Sequence, residues 1–280
     1  MTREVKTIRF DLISDIHLDF WVENSSNHLK QDKKLDRFIT DILPSELSNT
    51  LVIAGDLGHY NIQNHKFLVK LKKLYKYIVL VPGNHDYYLI TKSLKNKYKN
   101  NSIKRSIEMK LMAEELTGVY FLDGVQIELD NVIYGGCGMW YDFEYGLQVL
   151  NMDWNQIYDN WKSTSNDSLL IEGKPRLVKD MFQEEKSKLL KVLTSTDVIV
   201  THVSPDWSAI ANNYKGDLSN SYYYFDGKEF FNDINGRIWC SGHIHRRMDY
   251  MNYGCRFINA ALGYPDENMN LPKKIMTVFR

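Results

Sequence analysis

Seven side chains of types that hold metal ions stand just after apolar runs. Asp15 and His17 come after Leu12-Ile13, Asp56 after Leu51-Val52-Ile53-Ala54, and Asn84 after Tyr77 to Val81. His202 follows Val198-Ile199-Val200, and His243 and His245 follow Ile238-Trp239-Cys240. Together they offer oxygen and imidazole without sulfur, which suits Mn, Fe, Zn or Mg rather than a thiolate site. One ion cannot use all of them. Divided between two ions about 3.5–4 Å apart with one bridging carboxylate, they make a clamp that activates water and stabilises both oxygens of an in-line displacement. Such a site hydrolyses phosphate esters.

Positioning these groups falls to strands that end abruptly. In Val81-Pro82-Gly83-Asn84-His85-Asp86, Pro82 stops the ladder and Gly83 permits a tight turn, so the polar cluster is presented at the mouth of a sheet. Ile8, Phe10 and Leu12 alternate as in a strand with one buried face. Leu35, Phe38, Ile39 and Ile42 have helical spacing and stop before Pro44, and Phe67, Leu68, Leu71, Leu74 and Tyr75 mark a second helix. With strands at 51–54 and 77–81, the alternation predicts right-handed crossovers and a largely parallel sheet. Ile103 to Leu116 has the spacing of a docked helix. Val125 to Leu129 and Val132 to Tyr134 predict a hairpin across Asp130-Asn131, which makes the later part of the sheet partly antiparallel. A helix from Arg176 to Leu193 and late strands at 257–258 and 275–279 complete the pattern.

At 280 residues, 44% hydrophobic and 25% charged, the chain has enough apolar content for one sizeable core, and a single domain over 1–280 is expected. Lys+Arg and Asp+Glu are both 35, so no overall basic field exists to hold a nucleic-acid backbone or an anionic membrane. Three cysteines, Cys137, Cys240 and Cys255, lack any paired spacing, which fits a reducing compartment. No apolar run reaches the roughly 18 residues of a membrane span. The charges at Arg3, Glu4, Lys6, Arg9 and Asp11 stand where a signal peptide needs its apolar stretch. A cytoplasmic protein without a membrane or an obligate protein partner is expected.

Two segments carry open alternatives. Lys92, Lys95, Lys97, Lys99, Lys104 and Arg105 either form a phosphate-attracting rim near His85 or a solvated helix face. The aromatics of an excursion at about 139–175, among them Trp140, Tyr141, Phe143, Tyr145, Trp154 and Tyr158, either wall a substrate pocket or pin the segment to the core.

The order of D-x-H at Asp15 to His17, G-D at Gly55-Asp56, G-N-H-D at Gly83 to Asp86, Thr201-His202 and G-H-x-H at Gly242 to His245 resembles the calcineurin-like metallophosphoesterases, in particular stand-alone bacterial and phage members. The resemblance implies an α/β fold, a four-layer α/β/β/α sandwich of two mixed sheets flanked by helices. It also implies two divalent ions, Mn first, with Fe, Zn, Ni or Mg as alternatives. Asp15, His17 and His245 would bind one ion and Asn84, His202 and His243 the other, with Asp56 bridging and a hydroxide between them attacking phosphorus. His85 is not a ligand in the family; it faces the phosphate and stabilises the transition state or protonates the leaving alkoxide, and Asn84 can also touch the phosphate.

Departures narrow the substrate. Gly55-Asp56-Leu57-Gly58-His59-Tyr60 lacks the Arg of protein phosphatases, and the first motif ends in His17 where purple acid phosphatases have Gly. Gly55-Asp56-Leu57-x-His59 is similar to double-strand-break repair nucleases, where the extra His lies beside the catalytic one. His59 is therefore a candidate catalytic residue. As a neutral partner it would leave His85 titrating near an ordinary imidazole. The expected activity is phosphodiester hydrolysis, with a phosphomonoesterase or a nuclease of the same fold as alternatives, and a non-catalytic scaffold disfavoured because every ligand position is filled. The substrate is a phosphoester, with a nucleotide or nucleic acid among the choices.

Overall fold

The computed structural model describes residues 7–25, 27–173, 177–268 and 274–280. The charges at Arg3, Glu4 and Lys6 and the helix start at Arg176 lie outside them. The strands are β1 (Arg9–Ile13), β2 (Thr50–Ala54), β3 (Tyr77–Val81), β4 (Val119–Phe121), β5 (Val125–Leu129), β6 (Val132–Gly136), β7 (Val198–Val200), β8 (Ile238–Ser241), β9 (Met248–Asn252), β10 (Cys255–Asn259) and β11 (Met276–Phe279). The helices are α1 (Leu18–Trp21), α2 (His28–Ile42), α3 (Asn61–Leu71), α4 (Lys92–Tyr98), α5 (Ser102–Glu114), α6 (Glu144–Gln148), α7 (Trp154–Thr164), α8 (Asn166–Leu170) and α9 (Leu177–Val192).

The strands form two mixed sheets, in the orders β11-β1-β2-β3-β4 and β5-β6-β7-β8-β10-β9. In the first, β1 to β4 are parallel and β11 runs antiparallel to β1. In the second, β6, β7, β8 and β10 are parallel, with β5 and β9 antiparallel at the edges. The expected hairpin is β5–β6, and its turn residues Asp130 and Asn131 take the left-handed backbone such turns demand.

The period of two along each strand assigns its residues to two apolar layers. Phe10, Leu12, Val52, Ala54, Val79 and Val81 face Tyr134, Val198, Val200, Ile238 and Cys240 between the sheets. The alternate residues Ile13, Leu51, Ile53, Ile78 and Leu80 meet Phe38 and Ile39 of α2 and Phe67 and Leu68 of α3. On the far side Ile199, Trp239 and Phe257 meet Met181, Phe182 and Leu189 of α9. Four layers result, α/β/β/α. Strands buried on both faces read as continuous apolar runs, which is why they stand out in the sequence.

The excursion resolves into α6, α7 and α8. Trp140, Tyr141, Phe143 and Tyr145 are buried, and the first three pack with Ile157 and Trp161 in the core. They pin the segment rather than wall a pocket.

One buried charge joins several elements. The Asp11 carboxylate, at 0% exposure, accepts from Ser48 N (3.1 Å), Ser48 Oγ (2.8 Å), Tyr75 OH (2.9 Å) and Thr277 Oγ1 (2.9 Å). Asp11→Ala strands these donors and is expected to cost about 3 kcal/mol, since an unsatisfied buried donor costs 1–3 kcal/mol. Urea denaturation measures the loss, and an unchanged midpoint would contradict this account.

Candidate metal centre

Every proposed ligand sits on the loop directly after a strand, and these loops converge at one end of the two sheets. The β1 loop supplies Asp15 and His17, the β2 loop Asp56, and the turn after β3 Asn84 and His85. The β7 loop supplies His202, and the β8 loop His243 and His245. Asp15, His17, Asp56 and His243 have φ of 51°, 44°, 56° and 65°. For residues with a Cβ that conformation costs about 1 kcal/mol each. Such strain persists where surroundings over-determine it.

Close approach accounts for the glycines. A Cβ on Gly83 would lie 2.1 Å from Asp56 Oδ1, and one on Gly55, at φ +87°, would lie 2.4 Å from His202 Nδ1. The G-D and G-N-H-D motifs are thus packed against each other and against His202.

At the first cluster His17 Nε2 and His245 Nε2, 228 residues apart, approach to 2.9 Å. Asp15 Oδ1 lies 3.6 Å from His245 Nε2 and Asp56 Oδ2 lies 3.8 Å from His17 Nε2. His245 Nδ1 bonds Glu267 at 2.5 Å, so that nitrogen carries the hydrogen and Nε2 of the neutral ring is a lone pair. Burial lowers His17 to about 4, so its ring is neutral, and its buried Nδ1 has no partner among the described residues.

The second cluster is arranged the same way. His202 Nδ1 donates to the Ala54 carbonyl (2.9 Å) and His243 Nε2 to the Tyr222 carbonyl (2.9 Å). Their other nitrogens meet Asn84 Oδ1 at 2.9 and 3.1 Å, and His202 Nε2 is 3.3 Å from Asp56 Oδ2. The Asn84 amide is fixed in that sense because its Nδ2 donates to Asp167 Oδ1 (2.8 Å) and Tyr88 OH (3.0 Å). In the neutral rings, lone pairs therefore face a carbonyl oxygen and a carboxylate.

This donor set fits cations. Burial works against charge on His202, yet Asp56 and Asp15 raise it to about 10, a pull that a divalent ion would answer in place of a proton. Burial likewise opposes charge on Asp56, and His202 holds it well below the usual carboxylate range. Asp15, His17 and His245 form one group of mutually close ligand atoms, and Asp15, Asp56 and His202 another. A third group joins His17 and Asp56 to His85, so His85 is near enough to be tested as a ligand too.

His59 is not exposed at the surface. It is buried, with Nε2 3.0 Å from His85 Nδ1 and Nδ1 2.8 Å from Asp19 Oδ2. Asp19 also accepts the His59 backbone N–H at 3.0 Å. His85 departs from expectation: burial pushes it well below an ordinary imidazole, against the raising effect of Asp56. A carboxylate thus backs His85 through His59, supplied by Asp19, 40 residues away along the chain.

Asp19, Asp167 and Glu267 each orient a candidate site residue, and motif spacing did not single them out for that role. Asp19 is two residues past His17 and could have been suspected. Asp167, held also by Tyr88 OH and Tyr141 OH (both 2.6 Å), lies 83 residues from Asn84 and has no local signal.

A cavity of about 750 Å³ opens beside the centre, lined by Asp56, Asn84, His85, His243 and His245, with Tyr223 and Tyr264 on its walls. None of the lysines between 92 and 104 lines it. Lys95 pairs with Glu172 (2.6 Å) and Lys97 with Glu108 (2.9 Å), while Arg105 is fully buried and donates to the His85 and Gly58 carbonyls (2.7 and 2.5 Å). That cation ties two functional loops together rather than forming a rim. No helix among the described residues is long and apolar enough to cross a membrane.

Comparison with known proteins agrees with this geometry. The "Uncharacterized protein L509" of Acanthamoeba polyphaga mimivirus is 24% identical over 250 residues, covering 79% of this chain and 80% of its own length. The crystal structure of phosphopantetheinyl hydrolase from Mycobacterium tuberculosis shares the fold, with a TM-score of 0.64 at 16% identity over 96% of this chain and 95% of that one. The profile described as calcineurin-like phosphoesterase matches residues 8–247, and the chain belongs to that family.

Proposed function

We propose that this phosphoester hydrolase works with two divalent ions, Asp15, His17 and His245 holding one, Asn84, His202 and His243 the other, and Asp56 bridging. The observation that carries this reading is the convergence of ring nitrogens of His17, His245, His202 and His243 and the Asn84 amide oxygen around the buried carboxylates of Asp15 and Asp56. Bound there, such an ion pair supplies Lewis acidity and a water acidic enough to attack phosphorus at neutral pH. Manganese leads, with Fe, Zn, Ni and Mg as alternatives for this oxygen and nitrogen set.

The chain's own groups do the rest. Asp19 holds the hydrogen of His59 on Nδ1, so His59 Nε2 accepts from His85 Nδ1. His85 Nε2 then faces the reaction as a lone pair in the neutral ring, and it hydrogen-bonds the phosphate or hands a proton to the leaving oxygen only as the imidazolium, which Asp56 and an anionic phosphate favour against burial; such a step is worth typically 10² to 10⁴ in rate. Asp167 and Glu267 lock the Asn84 amide and the His245 ring, as supporting partners of ligands do.

A phosphodiester is the preferred substrate. The cavity leaves room for a second substituent, and its lining carries Arg246 against Asp167, Asp217 and Glu267, little positive charge for a dianionic monoester. The same balance disfavours a long nucleic-acid strand. The buried free thiols of Cys137, Cys240 and Cys255 support a reducing, cytoplasmic setting. A single domain spanning 1–280 accords with the layered core.

Manganese titration with turnover on bis(p-nitrophenyl) phosphate and on p-nitrophenyl phosphate tests the assignment. Faster hydrolysis of the diester is expected, and no metal-dependent turnover on either would refute it. Asp56→Asn should weaken both metals, whereas His85→Ala should keep near-full metal content and lose about 10² to 10⁴ in turnover. Metal analysis of the purified variants decides this, and equal metal loss would make His85 a ligand.

His59→Ala should lower kcat by about tenfold on a diester with an alkyl leaving group and hardly at all on one releasing nitrophenolate, which departs without a proton. Asp19→Asn should shift the same ratio in the same direction. Equal effects on both esters would remove the His59–His85 contact from the mechanism.

A further inference from the structure

The phosphate reading leaves the organic part of the ester undefined, and one aromatic pair bears on it. Phe20, in the short helix after His17, is 51% exposed. A single exposed phenylalanine is ordinary. This one is distinguished by its neighbours: its ring centroid lies 4.7 Å from Tyr264, 5.8 Å from His59 and 6.2 Å from His17. Tyr264 in turn lies 4.6 Å from His17, 5.0 Å from His245 and 6.5 Å from His85, and it lines the cavity. The pair thus extends from the candidate metal ligands past the His59–His85 contact to solvent, offering a half-exposed aromatic surface next to the place where the phosphorus is handled.

We propose that Phe20 and Tyr264 form a stacking platform for a flat aromatic group carried by the phosphoester, a base or base-like heterocycle on a small uncharged body. The inference rests on the phosphoesterase reading of the same site and adds the class of its organic group. Aromatic rings recognise such groups through their faces with little dependence on ring identity. Charge argues for one phosphate rather than several. Besides the candidate ligands, the cavity lining carries Arg246 against Asp167, Asp217 and Glu267, so a second or third phosphate would meet carboxylates more readily than a cation. Tyr223, 5.4 Å from His243, is a further aromatic ring on the cavity wall.

Calorimetric binding to the manganese-loaded protein tests this with probes of matched phosphate. AMP should bind about tenfold tighter than ribose 5-phosphate, the size of one base stack, and adenosine should bind where ribose does not. Phe20→Leu and Tyr264→Leu should each erode that preference and the double variant abolish it, while affinity for inorganic phosphate, the check on folding and metal content, stays unchanged. Equal binding of AMP and ribose 5-phosphate, or a preference that survives in the double variant, would overturn the platform. An oligothymidylate binding tighter than AMP would overturn the single-phosphate assignment. If adenosine binds in a Phe20- and Tyr264-dependent way but inorganic phosphate does not bind, the hydrolase reading fails and the platform stands. If phosphate binds and adenosine behaves as ribose does, the reverse holds.

Discussion

The placement of one carboxylate governs the rest of the site. Asp56 is 1% exposed. Its Oδ1 accepts the His85 backbone N–H at 2.8 Å, and its Oδ2 lies within 3.8 Å of both His17 and His202. Its backbone carbonyl accepts from Ile16 and His17, and its N–H donates to Asp86. One residue therefore ties the β1, β2 and β3 loops together and points a buried negative charge at two imidazoles. Burying an uncompensated charge is expensive, and hydrogen bonds to Asp56 answer only part of its field. The remainder calls for positive charge between Asp56 and its neighbours. The left-handed backbone at Asp15, His17, Asp56 and His243 falls on the ligand-bearing loops, at the ends of the strands.

Much of the fold was legible because the physics that builds it is local. Strands covered on both faces must be apolar along their whole length, so β2, β3, β7 and β8 announced themselves, and each breaks where ligands begin. The β5–β6 hairpin was marked by Asp130-Asn131. The strands that escaped notice are short or solvent-facing. β4 has three residues, and β9, Met248–Asn252, is an edge strand whose polar positions break any simple run. Helices α6 and α8 span five residues each, too few for a helical period to register against the aromatics around them.

The candidate ligands were legible for a related reason, since they come in short motifs with fixed spacing. The carboxylates that orient them were not. Asp19, Asp167 and Glu267 act through contacts 40, 83 and 22 residues away along the chain, and a lone acidic residue carries no mark of the ring or amide it will meet. The lysine-rich stretch shows the opposite error of local reasoning. Its charges read as a surface, yet Arg105 turns inward to the carbonyls of His85 and Gly58. Burial as well as spacing set its role.

The two clusters share a topological property. Asp15 and His17 come from the first sheet and His245 from the second; Asn84 and Asp56 come from the first, and His202 and His243 from the second. Any ion held at either cluster is therefore a cross-link between the two halves of the sandwich, joining segments as far apart in sequence as residues 15 and 245. Its effect on the chain is that of a reversible staple, closing a loop of 228 residues between His17 and His245 at the first cluster and one of 159 between Asn84 and His243 at the second. Loading would add RT ln(1 + [M]/Kd) to stability by mass action, so the resistance of this protein to heat and proteolysis becomes a record of the metal available where it was made.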